Sequence, residues 1–515
     1  MRDVMTPARE RSESHVAWIM LLGMLGLLVL GGLTAVGATL GSLYAIAAVL
    51  AVVAVAVVVT NPVWGVIVFI GTLLLGLPGF LAGDGRLTAN NMLGLILLAL
   101  LVVQICMTRD LWFMRTPQII LFLLIGAVLI ASLMHARHIY IPLQPPRLLF
   151  STGAPRDFTE NTLFTFFARL AFLLMFVNFV KTRKHVVLIL VSLLLFTMAV
   201  IPSAVYNAAS YDAEEDIATG KTVDPDTGQT TEFRVTSGVS SWGKNENRLA
   251  FMCNVSILLI WMFTQIWKGM LVRFVAFGVI LMMAALTLAT ASRSGFLSLG
   301  LVLLFLLCQK GISWSLRGVV VGAMIFCALI FFLALPRASY ERLLNYSLDQ
   351  STRPEAWRST QTRIELHENS LAVLRSASLL GVGPGNFRWL HRERFPYSIA
   401  AGRPNHNSYF WAATEGGLPA LALYLLLLGF IWYELRAAQR MYSRDDVLWH
   451  VTRFLRGFLL VFIFFSAFAD FWLEPHLYLL GGLSMLLLRR RLDPDPASRP
   501  AVAGSPALAA PGIAS

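Results

Sequence analysis

The stretch "HNSYFWAATEGGLPALALYLLLLGFIW", residues 406–432, opens on His406 and Asn407 and closes as a nearly unbroken apolar run. Its one charge is Glu415, and its length suits a helix crossing a hydrocarbon core, which takes about 20 residues. Working outward, the whole chain repeats that pattern. Of its 515 residues 57% are hydrophobic and 14% charged. Soluble domains lie nearer ~45–50% and ~25%. Apolar runs of spanning character fall at 16–35, 41–60, 63–81, 88–108, 117–135, 162–180, 185–206, 248–267, 271–290, 294–309, 317–335, 406–432, 454–473 and 476–489. The expected fold is an all-α polytopic membrane protein with about 14 transmembrane helices (12–14).

Charge then sets sidedness. The net +12 is carried in loops between apolar runs, so it is not the footprint of a nucleic-acid binder. Cys106, Cys253, Cys308 and Cys327 all lie inside apolar runs, which suggests neither a disulfide framework nor a metal-binding pair. Short basic loops, such as "KTRKH" at 181–185 and "KGMLVR" at 268–273, fall on one side together with "RRR" at 489–491. Basic short loops mark the cytoplasm. Residues 1–15 read as a retained cytoplasmic N-terminus, and the Pro/Ala-rich 492–515 as a disordered cytoplasmic tail. The spanning domain covers 16–491, and the opposite face receives the long loops 136–161, 207–247 and 336–405.

The last of these is long enough to fold as a periplasmic cap. It holds ten arginines against six acids, a net +4. Topology gains nothing from arginine on that side. Such a loop is either a solvated surface touching lipid headgroups or a site for an anionic substrate, since guanidinium forks match phosphate oxygens in pairs. A cap helix is expected from near Thr362, within "TQTRIELHENSLAVL" (360–374). Arg363 would then occupy its first turn, where a cation opposes the helix dipole and calls for an anion elsewhere.

Several short motifs border this face. In "TASRSGFLSL" (290–299), Arg293 sits near the membrane edge between Ser292 and Ser294. A charge at that depth costs up to ~2.5–3.5 kcal/mol unless paired or wetted. It is either a snorkelling turn residue or a fixed cation for a lipid-borne phosphate. In "WGKNENRLAFM" (242–252), Asn245 and Asn247 suit helix capping or sugar binding. "LLGVGPGNF" (379–387) lacks both the third glycine of a dinucleotide loop and the Gly-Lys-Ser/Thr of a P-loop, which leaves a tight turn packing backbone under the cap. Arg169 is a further cation of the outer leaflet, read as snorkelling. At the opening stretch, Asn405 or Asn407 can cap a helix beginning about His406. A positive helix end favours neutral imidazole, which can accept a proton. Glu415, deeper in the same segment, needs a partner.

"GKNEN", "ASRSG", "GVGPGNF" and "HNSYFWAATEGGLPA", in that order over about 240–430, resemble the signature blocks of the O-antigen ligase and O-antigen polymerase superfamily. His406-Asn407 is followed after nine residues by Gly417, as in the ligase pattern, while Ala420 stands at the second glycine position. The resemblance implies a GT-C-like membrane glycosyltransferase of the bacterial inner membrane, needing no cofactor or metal. Its donor would be a glycan on undecaprenyl pyrophosphate, used at the periplasmic face, with both termini cytoplasmic. It implies His406 as the catalytic residue and Arg293 and Arg363 as pyrophosphate ligands. Asn407, Asn247, Arg169 and Glu415 stand as supporting residues. The acceptor would be lipid A–core for a ligase, a second lipid-linked glycan for a polymerase, or a protein in a third branch. The reading from another class is a small-anion or lipid-glycan transporter, which expects polar residues at the bilayer midplane and interrupted helices. Here the polar clusters gather at one edge.

Overall fold

The computed structural model describes residues 55–75, 89–139, 155–209, 221–223, 230–232, 245–267, 269–309, 318, 322 and 354–489. Over these residues the protein is almost wholly helical. The first group of helices is α1 (Pro62–Leu75), α2 (Ala89–Thr108), α3 (Pro117–Ile139), α4 (Pro155–Phe179) and α5 (Arg183–Ala209). A short antiparallel pair follows, β1 (Lys221–Val223) and β2 (Thr230–Glu232), a small departure from an all-α expectation. The second group is α6 (Glu246–Ile266), α7 (Met270–Ala289) and α8 (Arg293–Leu307). Two helices of the segment expected to form the cap come next, α9 (Pro354–Ser376) and α10 (Phe387–Arg394). The chain then forms α11 (Ser408–Met441), α12 (Val447–Ser466) and α13 (Pro475–Arg489).

Seven of these helices are long and apolar enough to cross a membrane: α2, α3, α4, α6, α7, α11 and α12. α6 is the central post. Its spanning window is 89% buried, against 17% for that of α2 at the rim. It packs against α5, α7, α8 and α12, and α11 packs against α3, α12, α13 and the cap helix α9. Large apolar side chains point outward on the rim, among them Leu95 and Val102 on α2 and Phe274 on α7. Water would penalise such a surface, whereas lipid accepts it. The chain is a multi-pass membrane protein.

The expected runs at 16–35 and 317–335 lie outside the described residues, apart from isolated helical positions at 318 and 322, and 41–60 is described only from residue 55. The segments 1–15 and 492–515 also lie outside them. Several helix boundaries differ from expectation, α4 for instance starting at Pro155 rather than 162, and three have a local reason. α9 begins at Pro354, whose fixed φ suits a first helical position, so Arg363 lies well inside the helix rather than in its first turn. α12 begins at Val447 behind the cap Asp446, whose side chain accepts from the Leu448 amide, and ends at Ser466 instead of running on to 473. Arg453 and Arg456 are thereby drawn into the helix and lie over the rings of Trp449 and Trp432, at 5.1 and 4.5 Å. α11 outruns its expected end at 432 but is broken near its start, at Gly417.

That break positions the site. Gly417 has φ 74° and ψ −174°, a conformation essentially reserved for glycine. Pro419 follows and cannot donate to the helical ladder. The carbonyls left without helical partners are taken up from outside. Val382 N–H donates to Thr414 O at 2.8 Å, Gly383 N–H to Glu415 O at 3.0 Å, and the Ser132 hydroxyl to Glu415 O at 2.6 Å. The "GVGPGNF" turn thus packs backbone to backbone on the break, the close approach its glycines suggested. A Cβ on Gly381 would stand 2.6 Å from the Thr414 oxygen.

Candidate active site

The polar triplet Asn405-His406-Asn407 divides its work. Asn407 is the cap of α11, its side-chain oxygen accepting from Tyr409 N–H at 3.0 Å and Phe410 N–H at 3.1 Å. Asn405 faces the cap: its oxygen accepts from the Ser370 hydroxyl of α9 at 2.5 Å, and its amide donates to Thr414 Oγ1 at 3.0 Å. His406 therefore precedes the cap residue and lies outside the helix, not in its first turn. Its φ of 48° is left-handed, a conformation that costs a non-glycine residue energy. That backbone carries its side chain to Asp470, with Nδ1 3.3 Å from Oδ2.

Asp470 belongs to the turn between α12 and α13, which Ser408 pins to the start of α11. The Ser408 hydroxyl donates to Ala469 O at 2.8 Å and accepts from Phe471 N–H at 2.7 Å. Phe471 packs on Phe251 of α6, with ring centroids 4.8 Å apart. A carboxylate at Nδ1 favours the proton there and leaves Nε2 as the base, the orienting role carboxylates take beside catalytic histidines. Sequence reading missed Asp470, because the hydropathy of its surroundings placed it inside the run 454–473. A lone carboxylate within an apolar run was nonetheless a signal.

Arg293 reaches α9 one turn from Arg363. Arg293, the first residue of α8, donates from Nη1 to Thr360 Oγ1 at 2.8 Å. Arg363 lies one turn further along α9 from Thr360, and both arginines are half-buried. From Arg363 the same helix leads to His367, whose ring lies 5.1 Å from that of Phe410 in the first turn of α11. Burial, and then the Arg363 charge, lower the His367 pKa below its ordinary value. α9 is thus the beam joining the arginine pair to the loop that carries His406.

The "GKNEN" and "ASRSG" blocks interlock. Asn245 caps α6, accepting from Asn247 N–H and Arg248 N–H. Asn247 does not cap. Its side-chain oxygen accepts the Ser292 hydroxyl at 2.6 Å and the Ser294 hydroxyl at 3.3 Å, fixing the turn from which Arg293 projects.

Arg169 and Glu415 belong to a different wall. They line a cleft of about 340 Å³ with Arg248, Arg388, Asp470 and Glu474, closed by Phe387 and Trp411. Arg248 donates to Glu474 at 2.5 Å, and Arg169 lies beside the same carboxylate. Burial pushes the Glu474 carboxyl up, while the two arginines pull it down. Glu415 is 1% exposed, and the amides of Gly385 and Phe387 and the indole of Trp411 turn toward its carboxylate. The partner expected for Glu415 is therefore the glycine turn rather than a cation. Arg169 thus lines the cleft within the electrostatic reach of Glu474.

The O-Antigen ligase family model matches residues 277–425. No curated protein matches the chain. The matched region runs from α7 into α11 and takes in Arg293, Arg363, the glycine turn and His406, while Asp470, Arg169 and Arg248 lie outside it. Over residues 277–425 the chain is thus similar to the O-antigen ligase family.

Proposed function

We propose that the protein transfers a glycan from undecaprenyl pyrophosphate to an acceptor hydroxyl at the periplasmic face of the inner membrane, as an O-antigen ligase. The observation that carries this reading is the His406–Asp470 pair, 3.3 Å apart, in a loop tied to α9 through Asn405 and Ser370, the helix that also bears Arg363 and, at Thr360, the partner of Arg293. The acceptor oxygen attacks the anomeric carbon of the donor sugar, and the bond from that carbon to the pyrophosphate oxygen breaks. His406 Nε2 takes the hydroxyl proton, and Asp470 holds the imidazole in the tautomer that can do so. Arg293 and Arg363 face the charge that grows on the departing lipid pyrophosphate. No step in this scheme calls on a metal or cofactor.

The decisive experiment is a transfer assay with the purified protein and a lipid-linked glycan. His406→Ala should abolish transfer while the protein still inserts in the membrane, and normal glycan attachment in that variant would refute the assignment. A polymerase is the second reading, favoured by the arginine-rich cap, which could serve two pyrophosphate lipids. Glycan length in a deletion strain separates the two: loss of lipid A attachment marks a ligase, single-repeat glycans a polymerase.

A further inference from the structure

The two walls beside His406 differ in charge. Along α9, Arg363 stands one turn from Thr360, which accepts from Arg293 of α8, so this wall carries two cations. The cleft on the other side carries three cations, Arg169, Arg248 and Arg388, against three carboxylates, Glu415, Asp470 and Glu474. Its formal charge is zero, and Arg248 is already closed on Glu474 at 2.5 Å. A pyrophosphate entering there would displace Glu474 from its arginines and meet Glu415 and Asp470 head on.

Other features of the cleft point to a ligand rich in hydroxyl donors. Glu415 Oε2 is buried without a hydrogen-bond partner, and so is Asp470 Oδ1. Both residues line the cleft, and a carboxyl oxygen can accept a hydrogen bond from a hydroxyl. An empty buried acceptor is costly unless a ligand supplies the donor. The half-buried Trp411 adds an aromatic face, suited to the C–H face of a sugar ring. The volume of about 340 Å³ lies in the range of small-ligand pockets. Asp470, itself a residue of the cleft lining, links the two functions, with Oδ2 on His406 and Oδ1 buried without a partner.

We infer that this cleft is a subsite for an uncharged sugar, held by Glu415 and Trp411, with a hydroxyl delivered beside Asp470 and His406. The inference rests on the glycosyl-transfer reading and adds that the two sides of the histidine are specialised, cationic for pyrophosphate and neutral for carbohydrate. The sugar comes either from the acceptor or from the donor glycan, and kinetics tell them apart.

The test uses saturation-transfer NMR on the full-length protein in nanodiscs. The probes are a panel of neutral trisaccharides built from glucose, rhamnose or N-acetylglucosamine, an acidic trigalacturonate, and inorganic pyrophosphate. At least one neutral trisaccharide should bind, trigalacturonate should not, and pyrophosphate should not displace the sugar. Trp411→Ala and Glu415→Gln should each weaken binding by about tenfold, while Trp411→Phe retains it and thermal unfolding confirms that each variant is folded. In transfer assays the same variants should raise KM for whichever substrate places its sugar in the cleft, acceptor or donor, and leave the other KM unchanged. Absence of binding by every neutral probe, binding unaltered in both variants, or displacement by pyrophosphate would each overturn the proposal. Sugar binding that persists in a protein unable to transfer glycan would instead count against the enzymatic reading and leave the subsite standing.

Discussion

His406 Nδ1 lies 3.3 Å from Asp470 Oδ2, joining the residue before α11 to the turn between α12 and α13. The pair exists because α11 and α12 are antiparallel neighbours, so the start of one and the end of the other share a face. Ser408 then fixes their spacing through Ala469 and Phe471.

Asp470→Asn should lower kcat for glycan transfer by about a hundredfold, the lower range for loss of a proton-transfer group, with substrate KM little changed. The asparagine amide can leave His406 in the wrong tautomer while preserving the local shape. A separate measurement of kcat and KM decides the matter, since a merely structural defect would lower the amount of active protein and its thermal stability together.

Arg293→Ala and Arg363→Ala should each reduce transfer about tenfold to a hundredfold, the equivalent of one charge-assisted contact of ~1.5–3 kcal/mol. Lysine at either position should restore only part, because an ammonium cannot form the bidentate fork. Titration of the lipid-linked donor in each variant gives the measurement, and unchanged donor dependence would remove these residues from the pyrophosphate site.

Gly417→Ala should lower thermal stability and activity together. An added Cβ would stand 2.0 Å from the Leu379 carbonyl oxygen, and the backbone at φ 74° admits alanine only with strain of about 1–3 kcal/mol before any clash. Gly429→Ala on the same helix provides the control, since its Cβ would meet nothing within 4 Å. Thermal unfolding of the two variants in one lipid environment should separate them clearly.

Acid should loosen the cap near His406. His391 is fully buried, its Nδ1 accepts from Gly402 N–H at 3.2 Å, and its Nε2 lies 3.0 Å from the Asn369 amide. Burial lowers its pKa, with Glu365 pulling the other way. The unfolded cap therefore binds the proton more readily, so this stabilisation is whole above the ordinary value of ~6.5 and is lost as pH falls below it. Imidazolium cannot accept from Gly402, so hydrogen exchange over residues 396–405, corrected for intrinsic rates, should gain protection factors at about pH 7.5 relative to pH 5.5. Equal protection at both would refute this.

Much of the site's chemistry was legible residue by residue. "HNSYF" marked a helix start, "GVGPGNF" a backbone close approach, and Arg293 a cation at an apolar boundary. What escaped was the pairing across distance. Asn245 and Asn247 read alike, yet one caps α6 and the other ties Ser292 and Ser294. Arg169 read as a snorkelling side chain because Glu474 and Arg248, its neighbours, lie far along the chain. Glu415 asked for a partner that no charge count could supply, since its carboxylate faces backbone amides.

Composition and apolar run length by themselves determined that this chain lives in a membrane, because burying backbone in hydrocarbon leaves helices as the economical answer. They also determined where its polar chemistry gathers. The tertiary structure alone decided which polar groups meet. Hydropathy is a sum over neighbours in sequence, whereas a base and its carboxylate, or an arginine and its cleft, are set by helix packing and by one glycine that turns α11 aside.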